Sequence, residues 1–252
     1  MTIPVATIAR TVERSLYQTY AQSNNAVTGI DRFVEPLCRA AAGCLSIDVL
    51  DALRVPCRTP IVDLSSDQIT SIRTTLYRAA VTHRGQFRKP RPTDPGPIPF
   101  IAHPVTAALY VGLFGGSPTL CIAELLHDVA EDCNIAVAPI VADLPLPDTE
   151  KREIVDIVAV LTKNMDVTPR IRREQDTIDR VVAASPGAVL CKMCDRIHNI
   201  LGIDAFSDRF RLQYLEETDR LIDGVRDRAY ACGYRDAHTL LVELTDAART
   251  SR

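Results

Sequence analysis

Apolar positions along the chain recur at intervals of three and four residues, the spacing that lines one face of an α-helix. Near the amino terminus Ile8, Val12, Leu16 and Tyr20 form one such stripe, and Phe33, Leu37, Ala41 and Leu45 form a second. Pro56 and Pro60 bracket a break. Ser66 or Asp67 is then expected to cap a helix running through Ile69, Ile72, Leu76, Ala79 and Ala80 to His83. The stretch that follows, RGQFRKPRPTDPGPIPF, carries Pro90, Pro92, Pro95, Pro97 and Pro99 with Gly96, which excludes helix or central strand. It reads as a loop, and as a basic one, with Arg84, Arg88, Lys89 and Arg91. Beyond it the pattern predicts a helix over 101–114, ended by Gly115 and Gly116, and another opened by Pro118 in its first turn. Further helices are expected over 137–144, 148–161, 174–184, 187–201, 206–232 (as one helix or two) and 236–248. Strand alternation is nearly absent. The expected fold class is all-α, with residues 1–62 as an N-terminal helical extension and 63–252 as the main domain.

Composition narrows the functional classes. With 46% hydrophobic and 24% charged residues the chain has enough apolar surface to bury a large core and is not of the disordered type. A net charge of −3 and the absence of Trp argue against a nucleic-acid partner, since neither a basic field nor a stacking platform is present. No run approaches the roughly 20 apolar residues of a membrane span, and MTIPVATIARTVERSL lacks the features of a signal peptide. A cytoplasmic protein without a membrane partner is therefore expected, with its eight cysteines as thiols. Cys191 and Cys194 form a C-x2-C with no second pair at zinc-site spacing, and read as packing residues; Cys57 and the remaining cysteines are scattered.

The chemistry concentrates in LLHDVAED, residues 125–132. At about 100° per residue, Glu124, His127, Asp128, Glu131 and Asp132 fall within one arc roughly 140° wide, opposite Ile122, Ala123, Leu125, Leu126, Val129 and Ala130. A helix this apolar belongs in a core, where carboxylates are costly unless paired or bound to a metal. A divalent cation is the simplest occupant. His103, which opens a helix after the proline-rich loop, and Asp195, in CKMCDRIHN, are the candidate partners from other helices. Two imidazoles and two carboxylates suit Mn, Fe, Zn or Mg-like ions better than a thiolate site does. Glu131 and Asp132, one turn further along the same face, are placed to orient a water or move its proton. Lys163 and Lys192 read as surface or supporting charges more readily than as phosphate neighbours. His198 reads as a packed core histidine, His83 as ordering the following Gly-Gln turn, and His238 as exposed.

Five blocks, THRGQFRK at 82–89, FIAHP at 100–104, LLHDVAED at 125–132, LTK at 161–163 and CKMCDRIHN at 191–199, occur together and in order. In this the chain resembles the HD-domain metal-dependent phosphohydrolases. More narrowly it is similar to the hydrolase domain of the RelA/SpoT-type alarmone enzymes and to their stand-alone small alarmone hydrolases. FRLQYLEETDRLI, 210–222, is similar to the helix that follows in those proteins, so the likeness runs from residue 66 to about residue 230. The resemblance implies an HD-type helical bundle over 63–252, with His103, His127, Asp128 and Asp195 holding one divalent ion, usually Mn2+. It implies that Glu131 and Asp132 activate the attacking water, and that Arg88, Lys89 and Asn199 bind the nucleotide. The reaction implied is removal of the 3′-pyrophosphate of ppGpp or pppGpp, leaving GDP or GTP. The partner is then a small-molecule nucleotide, and a homo-oligomer stays open.

The chain departs from the family in three places. The link from Arg88 to His103 is longer and proline-rich, and is expected at the mouth of the site. Gly202 stands where the family commonly has Thr, and residues 1 to about 60 have no counterpart. The altered loop and Gly202 leave room for another nucleotide, such as ppApp or a deoxynucleotide. A non-catalytic nucleotide sensor is the third reading, against which the complete ligand set and the Glu-Asp pair both weigh.

Overall fold

The structure, a computed structural model, describes residues 4–25, 27, 29–44, 46–54 and 63–250. Pro56, Pro60, Leu45 and Cys57 lie outside the described residues. Among the described residues the regular structure is helical, apart from one isolated bridge between Phe87 and Pro99.

Two helices form the centre: α5, Ala102–Leu113, and α6, Pro118–Cys133. Every residue of α5 from Ala102 to Gly112 is buried, as is α6 from Thr119 to Val129. A helix apolar on all sides has to be covered on all sides. For α5 the cover comes from α1 (Val5–Ser23), α2 (Val34–Ala41), α6 and α10 (Pro186–Leu201). For α6 it comes from α4 (Ser66–Thr82), α8 (Asp148–Leu161) and α10. The helices before residue 55, α3 (Ser46–Arg54) among them, thus share one core with the rest. Tyr110 of α5, fully buried, donates its hydroxyl to the Val5 carbonyl at 2.6 Å. Gly112 lets α5 approach α2 closely, since a Cβ there would lie 2.5 Å from the Ala40 carbonyl carbon.

Several boundaries differ from the expected ones for local reasons. The cap of α4 is Ser65, not Ser66 or Asp67: its hydroxyl accepts from Gln68 N while the Gln68 side chain accepts from Ser65 N, a closed capping box. The expected 137–144 helix shrinks to α7, Ala138–Ala142. The next helix, α9, begins at Arg170 rather than Glu174, held by a bidentate pair from Arg170 to Glu217 at 2.7 and 2.8 Å. Glu217 lies on α11, Asp208–Ala231, which is one continuous helix. The last helix is α12, Arg235–Thr250. Its His238 is buried rather than exposed, 2.9 Å from the Ile222 carbonyl through Nε2.

Candidate functional site

The start of α5, the middle of α6 and the last half of α10 meet at one point. His103 Nε2 lies 3.2 Å from Asp195 Oδ1 and 3.4 Å from Asp128 Oδ2. His127 Nε2 lies 3.0 Å from Asp128 Oδ1 and 4.0 Å from Asp195 Oδ1. All four side chains are buried, yet His127 Nε2 and Asp128 Oδ2 have no hydrogen-bond partner. Buried polar atoms seldom go unpaired, and orphans that converge on shared space fit a bound cation. His103, His127 and Asp195 form a group able to hold a metal ion, with Asp128 against two of its members. The mixed N/O donors suit a divalent ion.

Neighbours aim these donors. His127 Nδ1 donates to the Glu124 carbonyl at 2.6 Å, leaving Nε2 as the inward-facing atom. Asn199 Nδ2 and Lys192 Nζ donate to the two oxygens of Asp195, at 2.7 and 3.0 Å. Burial would raise the Asp195 carboxyl, but Lys192 and the histidines outweigh it and hold it well below the usual range. Burial likewise opposes ionisation of Asp128, and His127 and His103 bring it down. Burial lowers His103 despite Asp128 and Asp195. For His127 burial loses to the Asp128 carboxylate, which raises the imidazole well above its ordinary value.

The polar stripe of α6 divides. Glu124 faces the core at 0% exposure, its carboxyl 3.6 Å from His127 Nδ1 and neither oxygen hydrogen-bonded. Burial pushes this carboxyl up to about 8, so it is held protonated. Between 4.5 and about 8 the unfolded chain releases this proton while the folded one keeps it, so stability falls as pH rises through that window. Glu124→Met, apolar and of similar length, is therefore expected to stabilise the metal-free protein by roughly 2 kcal/mol or more. The gain should be larger near pH 8 than near pH 5. Thermal unfolding with a chelator at both pH values checks it, and an equal gain at both would contradict the assigned protonation.

Around the four donors opens a cavity of about 460 Å³, the size of a small-molecule site. Glu131 and Asp132 stand on its wall, Glu131 ion-paired with Lys163. Partial burial, then the charges of Asp128 and Glu131, push the Asp132 carboxyl up to about 6. The proline-rich loop supplies Arg88, Lys89, Arg91 and Asp94 to the lining. Arg88 Nη1 donates to Asn199 Oδ1 at 3.2 Å, so the expected nucleotide-binding pair is already linked to Asp195 through Asn199. A Cβ at residue 202 would lie 3.3 Å from Arg88 Nη2, so Gly202 leaves that space to the guanidinium. Of the two roles expected of Lys192, surface or supporting charge, it has the second, being 4% exposed and bound to Asp195.

Sequence reasoning missed part of the lining. An aromatic wall, Phe206, Phe210 and Tyr214, is spaced by four residues and was visible as a stripe. Lys89 Nζ sits 4.9 and 5.1 Å from the Phe206 and Phe210 ring centroids, and Arg196 lies 4.3 Å over Tyr214. Arg170 and Glu174, from the first turns of α9, also line the cavity, as does Glu13 of α1. Nothing local in the sequence marks Glu13.

No protein-family model matches the chain. Solved structures include one described as a metazoan ortholog of SpoT that hydrolyzes ppGpp, similar with a TM-score of 0.58 and 21% identity over 73% of this chain and 96% of that one. The chain has the all-α HD-domain fold. Among curated proteins, this chain is 25% identical over 155 residues to the guanosine-3′,5′-bis(diphosphate) 3′-pyrophosphohydrolase MESH1 of Mus musculus, covering 59% of the chain and 80% of the mouse protein. It is 30% identical over 135 residues to the guanosine-3′,5′-bis(diphosphate) 3′-pyrophosphohydrolase of Borreliella burgdorferi, covering 52% of the chain but 18% of that protein. A probable GTP diphosphokinase of Arabidopsis thaliana chloroplasts is 26% identical over 159 residues, covering 59% of the chain and 21% of the plant protein. The chain thus spans about a fifth of the length of these long relatives. No helix is long and apolar enough to cross a membrane among the described residues.

Proposed function

We propose that the chain is a metal-dependent hydrolase that removes the 3′-pyrophosphate of ppGpp or pppGpp, giving GDP or GTP and pyrophosphate. The observation that carries this reading is the convergence of His103, His127, Asp128 and Asp195 at the floor of a cavity with a basic rim. These four would hold one divalent ion, Mn2+ in this reading, which supplies Lewis acidity to the phosphoryl oxygens and lowers the pKa of water it binds. Asp132, with Glu131, takes the proton of the attacking water. The water oxygen bonds to the phosphorus nearest the ribose, the bond from that phosphorus to the 3′ oxygen breaks, and the 3′ oxygen takes up a proton. Arg88 and Lys89 offset the phosphate charge, and Asn199 fixes Arg88 beside Asp195. In this reading the protein works in the cytoplasm on a small-molecule nucleotide, with no nucleic acid. Residues 1–62 are a helical extension of a hydrolase domain spanning 63–252, as a monomer or a homo-oligomer.

A second reading, an adenine alarmone such as ppApp, is favoured by one observation: Arg88 fills the space above Gly202, which reshapes that end of the cavity. Incubating the protein with Mn2+ and ppGpp, with ppApp and dGTP in parallel, and identifying the products decides between them. GDP and pyrophosphate, abolished by a chelator, are expected from ppGpp. Turnover of ppApp or dGTP alone would keep the chemistry and replace the substrate.

A further inference from the structure

Glu13, in the middle of α1, is 4% exposed and lines the cavity beside the paired rings of His103 and His198. Its Oε2 accepts from Arg91 Nη2 at 2.6 Å, and the same guanidinium holds Asp94 at 2.6 and 2.9 Å. A buried carboxylate on the first helix thus fastens the proline-rich loop as a strap along the cavity. Two further contacts seat the strap on α1. Tyr20 meets Phe87 edge-on with centroids 5.1 Å apart. A Cβ at Gly96 would lie 2.5 Å from a Tyr17 ring carbon, so the strap backbone runs against that ring and a side chain there would have to push it aside.

The other oxygen of Glu13, Oε1, faces His198 Nε2 at 3.8 Å. That is too long for a hydrogen bond, but short enough for a charge to act on the ring. The ion pair with the Arg91 guanidinium at 2.6 Å holds Glu13 as a carboxylate. The Nδ1 atoms of His103 and His198 are 2.7 Å apart, a hydrogen bond in which one ring donates and the other accepts. A carboxylate facing His198 Nε2 favours the ring's proton there. His198 Nδ1 is then the acceptor, His103 Nδ1 the donor, and His103 Nε2 presents a lone pair towards Asp128 and Asp195.

We infer that Glu13 is a positioning residue of the site, holding the strap through Arg91 and setting the tautomer of His103 through His198. This rests on the proposed function only in taking His103 as a ligand and the strap as a wall of the nucleotide site.

The tautomer is read from 15N-histidine spectra of the full, metal-free chain. Wild type and Arg91→Gln are expected to carry the His198 proton on Nε2, and Glu13→Gln to lose that preference. A wild-type spectrum with the proton on Nδ1 overturns the inference, and it needs no variant to fold. Titration with Mn2+ by calorimetry is expected to show affinity weakened about tenfold in Glu13→Gln and less than about twofold in Arg91→Gln. Equal affinity in all three proteins overturns the link through His198. For the strap, Arg91→Gln is expected to raise KM for ppGpp about fivefold with a smaller change in kcat. An unchanged KM overturns that arm. A wild-type protein that binds Mn2+ with the expected tautomer but cleaves no nucleotide sinks the proposed function and leaves the positioning role standing.

Discussion

Asp128→Asn is expected to lower kcat/KM for ppGpp by at least about a thousandfold and to abolish tight Mn2+ binding. The substitution keeps the shape of the side chain and removes its charge. Asp128 lies 3.0 Å from His127 Nε2 and 3.4 Å from His103 Nε2, so in the proposed ligand set it is the carboxylate that joins the two imidazoles. The only other carboxylate in the set, Asp195, already gives one oxygen to the Lys192 ammonium at 3.0 Å. Without Asp128 the set is two neutral rings and a carboxylate balanced by that lysine, with no net charge to draw a dication into a buried site. The fold should survive, because Asn fills the same space and keeps an amide dipole facing the two imidazoles. Elemental analysis, initial rates, and the rise in Tm on adding Mn2+ are the readouts. That rise should vanish in the variant, while Tm with chelator stays close to wild type. A variant that keeps its metal and a rate within about tenfold of wild type would remove Asp128 from the ligand set.

The legible parts of this molecule are those written in local periodicity. α8 lies at 148–161 as its apolar stripe predicts, and α5 and α6 are central because their sequences leave no face for solvent. His103, His127, Asp128 and Asp195 are drawn together because each sits on a helix that must be buried. The cap at Ser65 was readable too, since Gln68 stands at the position a capping box requires. Other features follow from pairings across the chain and leave no local trace. Glu13 and Arg91 meet only when α1 and the strap pack together. The early start of α9 depends on Glu217 of another helix. His238 sits in a polar-looking segment, and only the packing of α12 against α10 and α11 buries it. Lys192 looks like a surface lysine until α10 is placed with its whole length in the core.

The acidic pair at the end of α6 differs in a way that predicts unequal roles. Glu131 is ion-paired with Lys163, whose ammonium is raised above its ordinary value although burial opposes this, because Glu131 is beside it. Asp132 makes no ion pair among the described residues and reaches the same cavity. Burial and the nearby carboxylates bring it up to about 6, close to where a general base is most effective. Asp132→Asn is therefore expected to lower kcat about a hundredfold, and Glu131→Gln by less, with Mn2+ affinity in both within a few-fold of wild type. The base form of Asp132 is the unprotonated one, so wild-type kcat should fall as pH drops through about 6 and level off above it. In Asp132→Asn that acid limb should disappear, leaving a low, flat rate. A cation at Asp128 offsets one of the charges that raise Asp132, so the limb of the loaded enzyme should fall at or below about 6 and not above it. A pH profile of kcat for wild type and both variants tests this. If Asp132→Asn keeps the wild-type limb, the proton passes through another group, and Glu131, freed from Lys163 by substrate phosphate, becomes the base to examine.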